Sequence, residues 1–246
     1  MSFNWYKVAQ IKKIEKQCFE EDRKKFAGID LNDTEELSET ESTIIPEDVD
    51  TQHQFKYIGD RIEEGKQRES DIIDRINKST VFILEPSGNQ EDISGIDAYI
   101  VGYRGAPTAI SSPMSVQIKH RLKGGDDLGL EVIKGWPPSN ADKRNINYDG
   151  KDMKTPVDYY FHIDRTGKLR VFNGRMIREI AQKMSSSAVV AWGHHAFNGN
   201  RYDVSPYGQV LIVKERGQGG RQTRNNSKVI TYIDINELSP TFEFNI

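Results

Sequence analysis

The sequence predicts an α/β fold, a mixed central sheet flanked by helices, and three observations lead there. Residues 57–77 place Ile58, Ile62, Ile72, Ile73 and Ile76 for burial along a helix. Short apolar runs then follow at 80–84, 97–103, 114–122, 128–133, 158–163 and 169–172, separated by Gly, Pro, Ser, Asn and Asp. That punctuation belongs to strands and turns. A second helical pattern at 174–184 closes the region, giving the helix, strands, helix order of a sheet with helices over it.

Around this core the chain divides by composition. Residues 3–26 read as a helix with Val8, Ile11, Ile14 and Cys18 near one face, free to pack on the body or on a protein partner. The stretch 30–50 holds nine acidic residues and neither Lys nor Arg. Its plainer reading is a solvated linker; an electrostatic mimic of DNA that inhibits a basic cleft is the alternative. At the far end, 209–214 and 228–235 read as two strands of a β-hairpin extension. The expected division is an N-terminal helix (1–27), an acidic linker (28–54), a core (55–185) and a C-terminal β extension (186–246). The segment 135–154, with Trp136-Pro137-Pro138, has loop character, and Ser185-Ser186-Ser187 reads as a helix end. No internal repeat is visible.

Charge and cysteine content bound the function. The 246 residues carry a net charge of -3; removing the acidic segment's -9 leaves +6, a mildly basic body compatible with a polyanionic partner. Between Lys214 and Lys228 the cations Arg216, Arg221 and Arg224 face a single acid, Glu215. A loop of that kind can follow a phosphate backbone through Arg216, Arg221, Arg224 and Lys228, although surface hairpins are often charged without such a role. One cysteine, Cys18, excludes an intrachain disulfide and a cysteine-based zinc cluster, and is most simply a small buried hydrophobe. With 36% hydrophobic residues and a mean hydropathy of -0.67, no segment approaches a membrane span, and an intracellular (cytoplasmic) location is expected.

The residues that carry chemistry are Asp97, Gln117 and Lys119. In a strand side chains alternate, so Gln117 and Lys119 share the face opposite Val116 and Ile118. If the runs at 97–103 and 114–122 pair, Asp97 lies beside them. Oxygen donors next to an ammonium group are the start of a magnesium site at a scissile phosphate.

Gly65-x-x-x-Glu69 on a helix, Gly95-Ile96-Asp97 opening a strand and Gln117-Ile118-Lys119 on the next strand resemble the PD-(D/E)XK nuclease superfamily, the restriction-endonuclease-like fold. The wording is most similar to the Mrr-type branch, in which glutamine replaces the usual acid of the third motif. The resemblance covers residues 57–184. It implies a metal-dependent DNA endonuclease, restriction-type or structure-selective, of the kind phages and mobile elements encode. It also implies Mg²⁺ (or Mn²⁺) held by Asp97 and Gln117, with Glu69 binding through water or supporting a second ion. Lys119 would orient or help deprotonate the attacking water and stabilise charge on the phosphate. Cutting both strands of a duplex would imply a homodimer. The amide of Gln117 takes one negative charge out of the ligand set and so weakens the ion's binding. For that reason a catalytically silent DNA-binding or assembly protein is the competing expectation.

Other signals have plainer readings. Glu131 and Lys134 read as solvent-facing strand residues rather than an extension of the site. His194-His195 with Asn198 suggests a ββα nuclease site but lacks the second histidine-bearing helix, and Gly217-Gln218-Gly219-Gly220 lacks the Lys-Ser/Thr of a phosphate loop. Tyr159 and Tyr160 are read as core, with base stacking by them, Trp136 or Tyr148 as the alternative.

Overall fold

A computed structural model describes residues 5–29, 58–88, 95–105, 110, 112–120, 126–134, 148–192, 201–214 and 227–246. Most of the acidic linker, His194, His195, Asn198, Trp136, Arg216, Arg221 and Arg224 lie outside the described residues. The helices are α1 (Trp5–Lys25), α2 (Ile58–Ser79), α3 (Lys151–Lys154) and α4 (Gly174–Trp192). The strands are β1 (Phe82–Pro86), β2 (Ala98–Tyr103), β3 (Met114–His120), β4 (Asp127–Lys134), β5 (Tyr159–Ile163), β6 (Lys168–Asn173), β7 (Arg201–Asp203), β8 (Gly208–Lys214), β9 (Ser227–Asp234) and β10 (Phe242–Asn245).

The protein is mixed α/β, as the sequence predicts. A six-stranded sheet runs β1-β2-β3-β5-β6-β10, and a four-stranded sheet runs β4-β9-β8-β7. Within the first sheet β3 pairs with β5 in parallel while the other neighbours are antiparallel. The second sheet is antiparallel throughout. Alternation along β3 and β5 divides their side chains cleanly. Met114, Val116, Tyr159, Phe161 and Ile163 enter one core with Ile73 and Ile76 of α2. Tyr160 enters the other, with Phe172, Ile177 and Met184 and with Leu130, Val210 and Ile233 of the second sheet.

Several expectations need correcting. The run at 128–133 does not extend the first sheet; as β4 it pairs with β9. The final strand, β10, returns to pair with β6, so segments 55–185 and 186–246 share both sheets. The stretch expected as loop up to residue 154 contains α3. The three serines do not end α4, which continues to Trp192. Ser185 donates to the Ala181 carbonyl, and Ser186 and Ser187 donate to that of Lys183, satisfying the hydroxyls without breaking the helix.

The N-terminal helix is part of the body, and its apolar face is not left for a partner. Ile11, Ile14 and Cys18 are buried in the core that holds Tyr160, and Phe26 is buried in the other. Buried Asp22 fixes the helix: it accepts hydrogen bonds from Tyr159 Oη (2.8 Å), Asn173 Nδ2 (2.9 Å) and Thr241 Oγ1 (2.7 Å). One carboxylate thereby ties α1 to β5, β6 and the approach to β10. No helix among the described residues is long and apolar enough to cross a membrane.

Candidate functional site

Asp97, Gln117 and Lys119 come together because β2 and β3 pair in the register that sets Ala98 opposite Val116. The Asp97 amide donates to the Val116 carbonyl at 2.9 Å. Its side-chain Oδ2 then accepts from the Ile118 amide at 2.6 Å, so the carboxylate extends the ladder just where β2 begins. The chain can turn away there because Gly95 has φ +92, which other residues rarely adopt. A Cβ on Gly95 would stand 3.1 Å from Gln117 Nε2 and 3.4 Å from Lys151 Cε, so the Gly-Ile-Asp backbone lies against the glutamine.

Gln117 is 4% exposed and stands opposite Tyr160 in the β3–β5 register; Lys119 stands opposite buried His162. The motif is therefore internal, on the third strand of six. The Lys119 side chain keeps 28% exposure, with Nζ 3.5 Å from Asp152 Oδ1. An ammonium so placed is held by a carboxylate yet remains reachable from solvent.

Asp152 is the functional candidate that sequence reasoning missed. It arrives on α3, which follows a segment laid along the free edge of β4. There Asp149 Oδ1 accepts from the Lys134 amide (2.9 Å), Gly150 donates to the Val132 carbonyl (3.1 Å), and Asp152 Oδ2 accepts from the Glu131 amide (2.7 Å). Glu131 is no solvent-facing strand residue: it accepts from the Lys151 amide at 3.3 Å and pairs with Lys228 Nζ at 2.6 Å, its side chain 14% exposed. A carboxylate layer from the second sheet thus stands beside the Gln117 and Lys119 face of the first.

Tyr160 links the two. It is fully buried, and its hydroxyl has no hydrogen-bond partner, a costly arrangement for a polar atom. Burial first, then the charges of Asp152 and Asp97, push its phenol far above its ordinary range, against the opposing pull of Arg178. The hydroxyl accordingly lies within the fields of both carboxylates. Asp152 Oδ1 is likewise buried without a hydrogen bond.

Glu69 sits elsewhere. It is half-buried, one turn before Ile73 on the stripe of α2 that packs on the sheet face opposite Gln117 and Tyr160. That helix passes the end of β3, where burial and then the charges of Arg75 and Arg68 hold the His120 imidazole below its ordinary pKa of 6.5. Gly65 meets nothing within 4 Å, so no close approach explains the glycine.

Among the described residues no three His, Cys, Asp or Glu side chains converge as a metal-holding group. The oxygen donors gathered around β3 are Asp97 at the Ile118 amide, the Gln117 amide, Tyr160 opposite it in the register and Asp152 at Lys119, all hard oxygens suited to Mg²⁺ or Mn²⁺. Elsewhere, a cavity of about 420 Å³ is lined by Lys25, Arg175 and Arg178 against Glu21, Asp22 and Asp158. Its charges balance, so it favours neither sign of ligand. No protein-family model, no curated protein and no solved structure matches the chain.

Proposed function

We propose that the chain is a metal-dependent nuclease that hydrolyses phosphodiester bonds in DNA, and that its six-stranded sheet is a restriction-endonuclease-like core. The observation that carries this reading is the convergence of Asp97, Gln117 and a partly exposed Lys119 on one face of two paired strands. Asp97 and Gln117 would hold Mg²⁺ or Mn²⁺; Glu69, the ligand the motif resemblance would add, lies on the other face of the sheet and takes no part in this set. A divalent ion bound there supplies Lewis-acid charge to the scissile phosphate. Lys119 contributes an ammonium group that orients the incoming water and balances charge gathering on the phosphate oxygens. Water would add to phosphorus as the bond to the 3′ oxygen breaks, and the proton the water loses balances the one that the departing oxygen takes up through solvent. Lys228 pairs with Glu131, and Arg216, Arg221 and Arg224, which lie outside the described residues, would add the charge that a DNA backbone needs. A duplex cut on both strands would require two copies of the chain.

The test is incubation of supercoiled plasmid and branched DNA with Mg²⁺ or Mn²⁺. Nicking by the wild type, lost in Asp97→Ala and Lys119→Ala, is expected; intact DNA with the wild type at every condition overturns the reading.

One observation favours a second reading, a silent DNA-binding or assembly protein. Asp97 Oδ2 is engaged by the Ile118 amide and Lys119 by Asp152, so both groups already hold structural positions. DNA binding that survives without any cleavage would select it. If the acidic linker regulates either activity, the relevant deletion removes residues 31–50 alone, because loss of α1 would open both cores.

A further inference from the structure

We infer that Asp152 is the second acidic ligand of the divalent-cation site, restoring the negative charge that the amide of Gln117 leaves out. This rests on the proposed nuclease reading and names a ligand that the motif does not contain. Two carboxylates approach adjacent residues of β3 from different sheets: Asp97, from the start of β2, at the Ile118 amide, and Asp152, from the segment on the edge of β4, at the Lys119 ammonium. Each has one oxygen fixed by a main-chain amide, Ile118 for Asp97 and Glu131 for Asp152, so their orientations are set before any ligand arrives.

Two independent features point to an occupant between them. The fully buried Tyr160 hydroxyl lacks a hydrogen-bond partner while lying in the fields of both carboxylates. Asp152 Oδ1 is also buried without a hydrogen bond, its cation being Lys119 at 3.5 Å. Buried oxygens of this kind are satisfied by a cation that accepts their lone pairs. Lys119 then holds the place of that charge: binding of a divalent ion at Asp152 frees the ammonium for the phosphate.

The experiment is Mn²⁺ titration of the full chain without DNA, read by calorimetry and by the Mn²⁺ electron-paramagnetic-resonance signal. Asp152→Asn keeps an oxygen for the Glu131 amide, so its melting temperature should stay near that of the wild type. Asp152→Asn should weaken Mn²⁺ by about tenfold or more, as Asp97→Asn does, and adding Gln117→Glu should restore most of the loss. Asp152→Asn binding like the wild type while Asp97→Asn does not would overturn the inference and leave the nuclease reading standing. A loss that Gln117→Glu fails to rescue would also overturn it, since a merely structural residue behaves that way. Absence of Mn²⁺ binding by the wild type and by Gln117→Glu would overturn both readings.

Discussion

A single methyl group at Gly150 should disturb the acidic side of the site from outside it. A Cβ there would fall 2.2 Å from the Glu131 carbonyl oxygen, 2.5 Å from its carbon and 2.6 Å from the Val132 carbonyl carbon. These are backbone atoms of β4, held in the second sheet by β9, and they cannot step aside as a side-chain tip can. Reaching ordinary contact requires the 149–152 segment to withdraw by about 1 Å. The bonds from Gly150 to Val132 (3.1 Å) and from Glu131 to Asp152 (2.7 Å) would then stretch beyond useful length. Each net bond is worth about 1 kcal/mol and the overpacking about 1–3 kcal/mol, so Gly150→Ala should cost about 3–5 kcal/mol. Urea denaturation measures the total, and hydrogen exchange locates it at the Glu131 and Gly150 amides. Asp152 would also draw away from Lys119, weakening Mn²⁺ binding in parallel. A loss under about 1 kcal/mol, or unchanged exchange at those amides, would refute the close packing of this segment on β4.

Two further predictions concern the frame around the site. Asp22→Ala strands three donors, on Tyr159, Asn173 and Thr241, and should cost about 3–5 kcal/mol in urea denaturation; a cycle with Tyr159→Phe should show coupling of about 1–3 kcal/mol, and additive losses would deny the shared bond. Stability should fall in acid in two stages. Burial opposes the charge of Asp164, but hydrogen bonds from the Thr166 hydroxyl and from the Lys168 and Thr166 amides, with the charge of Arg170, hold its carboxyl below the ordinary 3.8. His120 is also depressed, from 6.5. A depressed group binds fewer protons folded than unfolded, so its contribution is complete above the unfolded pKa and is lost as pH falls through the folded one. Melting temperature should therefore decline gently below pH 6.5 and more steeply below 3.8, the upper stage vanishing in His120→Gln and the lower shrinking in Asp164→Asn. An acid limb unchanged in Asp164→Asn would contradict the Thr166 and Arg170 cage.

What could be read in advance follows from how local each signal is. The Met114 to His120 alternation and the apolar Tyr159 to Ile163 run show their faces in their own side chains, and the structure keeps those faces. The choice of sheet does not show. Leu128, Leu130 and Val132 alternate as any half-buried strand does, and only the distant Val229 to Ile233 run decides that they join β9. The last strand, Phe242 to Asn245, is four residues long and gives little periodicity to detect. Asp97, Gln117 and Lys119 were legible because one hairpin register brings them together. Asp152 was not: its link to Lys119 exists only after a crossover through the second sheet, and Asp in a Gly-Lys-Asp-Met turn looks like any turn acid.

The register of β3 controls whether the proposed chemistry can exist at all. Because strand side chains alternate, a slip of one residue against β2 and β5 would send Gln117 and Lys119 into the core of Phe82, Phe161 and Ile76, and would turn Val116 to the face of Tyr160. Burying an amide and an ammonium among those rings would cost several kcal/mol, so the aromatic core enforces the site's geometry from the opposite face of the same strand. The Asp97 carboxylate adds a second lock, since its bond to the Ile118 amide is available in one register only. The same bond that makes Asp97 a candidate ligand also makes it a strand terminator. Asp152 repeats the device on the edge of β4, where it accepts from Glu131. Two ladders capped by aspartates therefore come near Lys119 and Tyr160, and the acidic pair arises from the way the two sheets finish their hydrogen bonding.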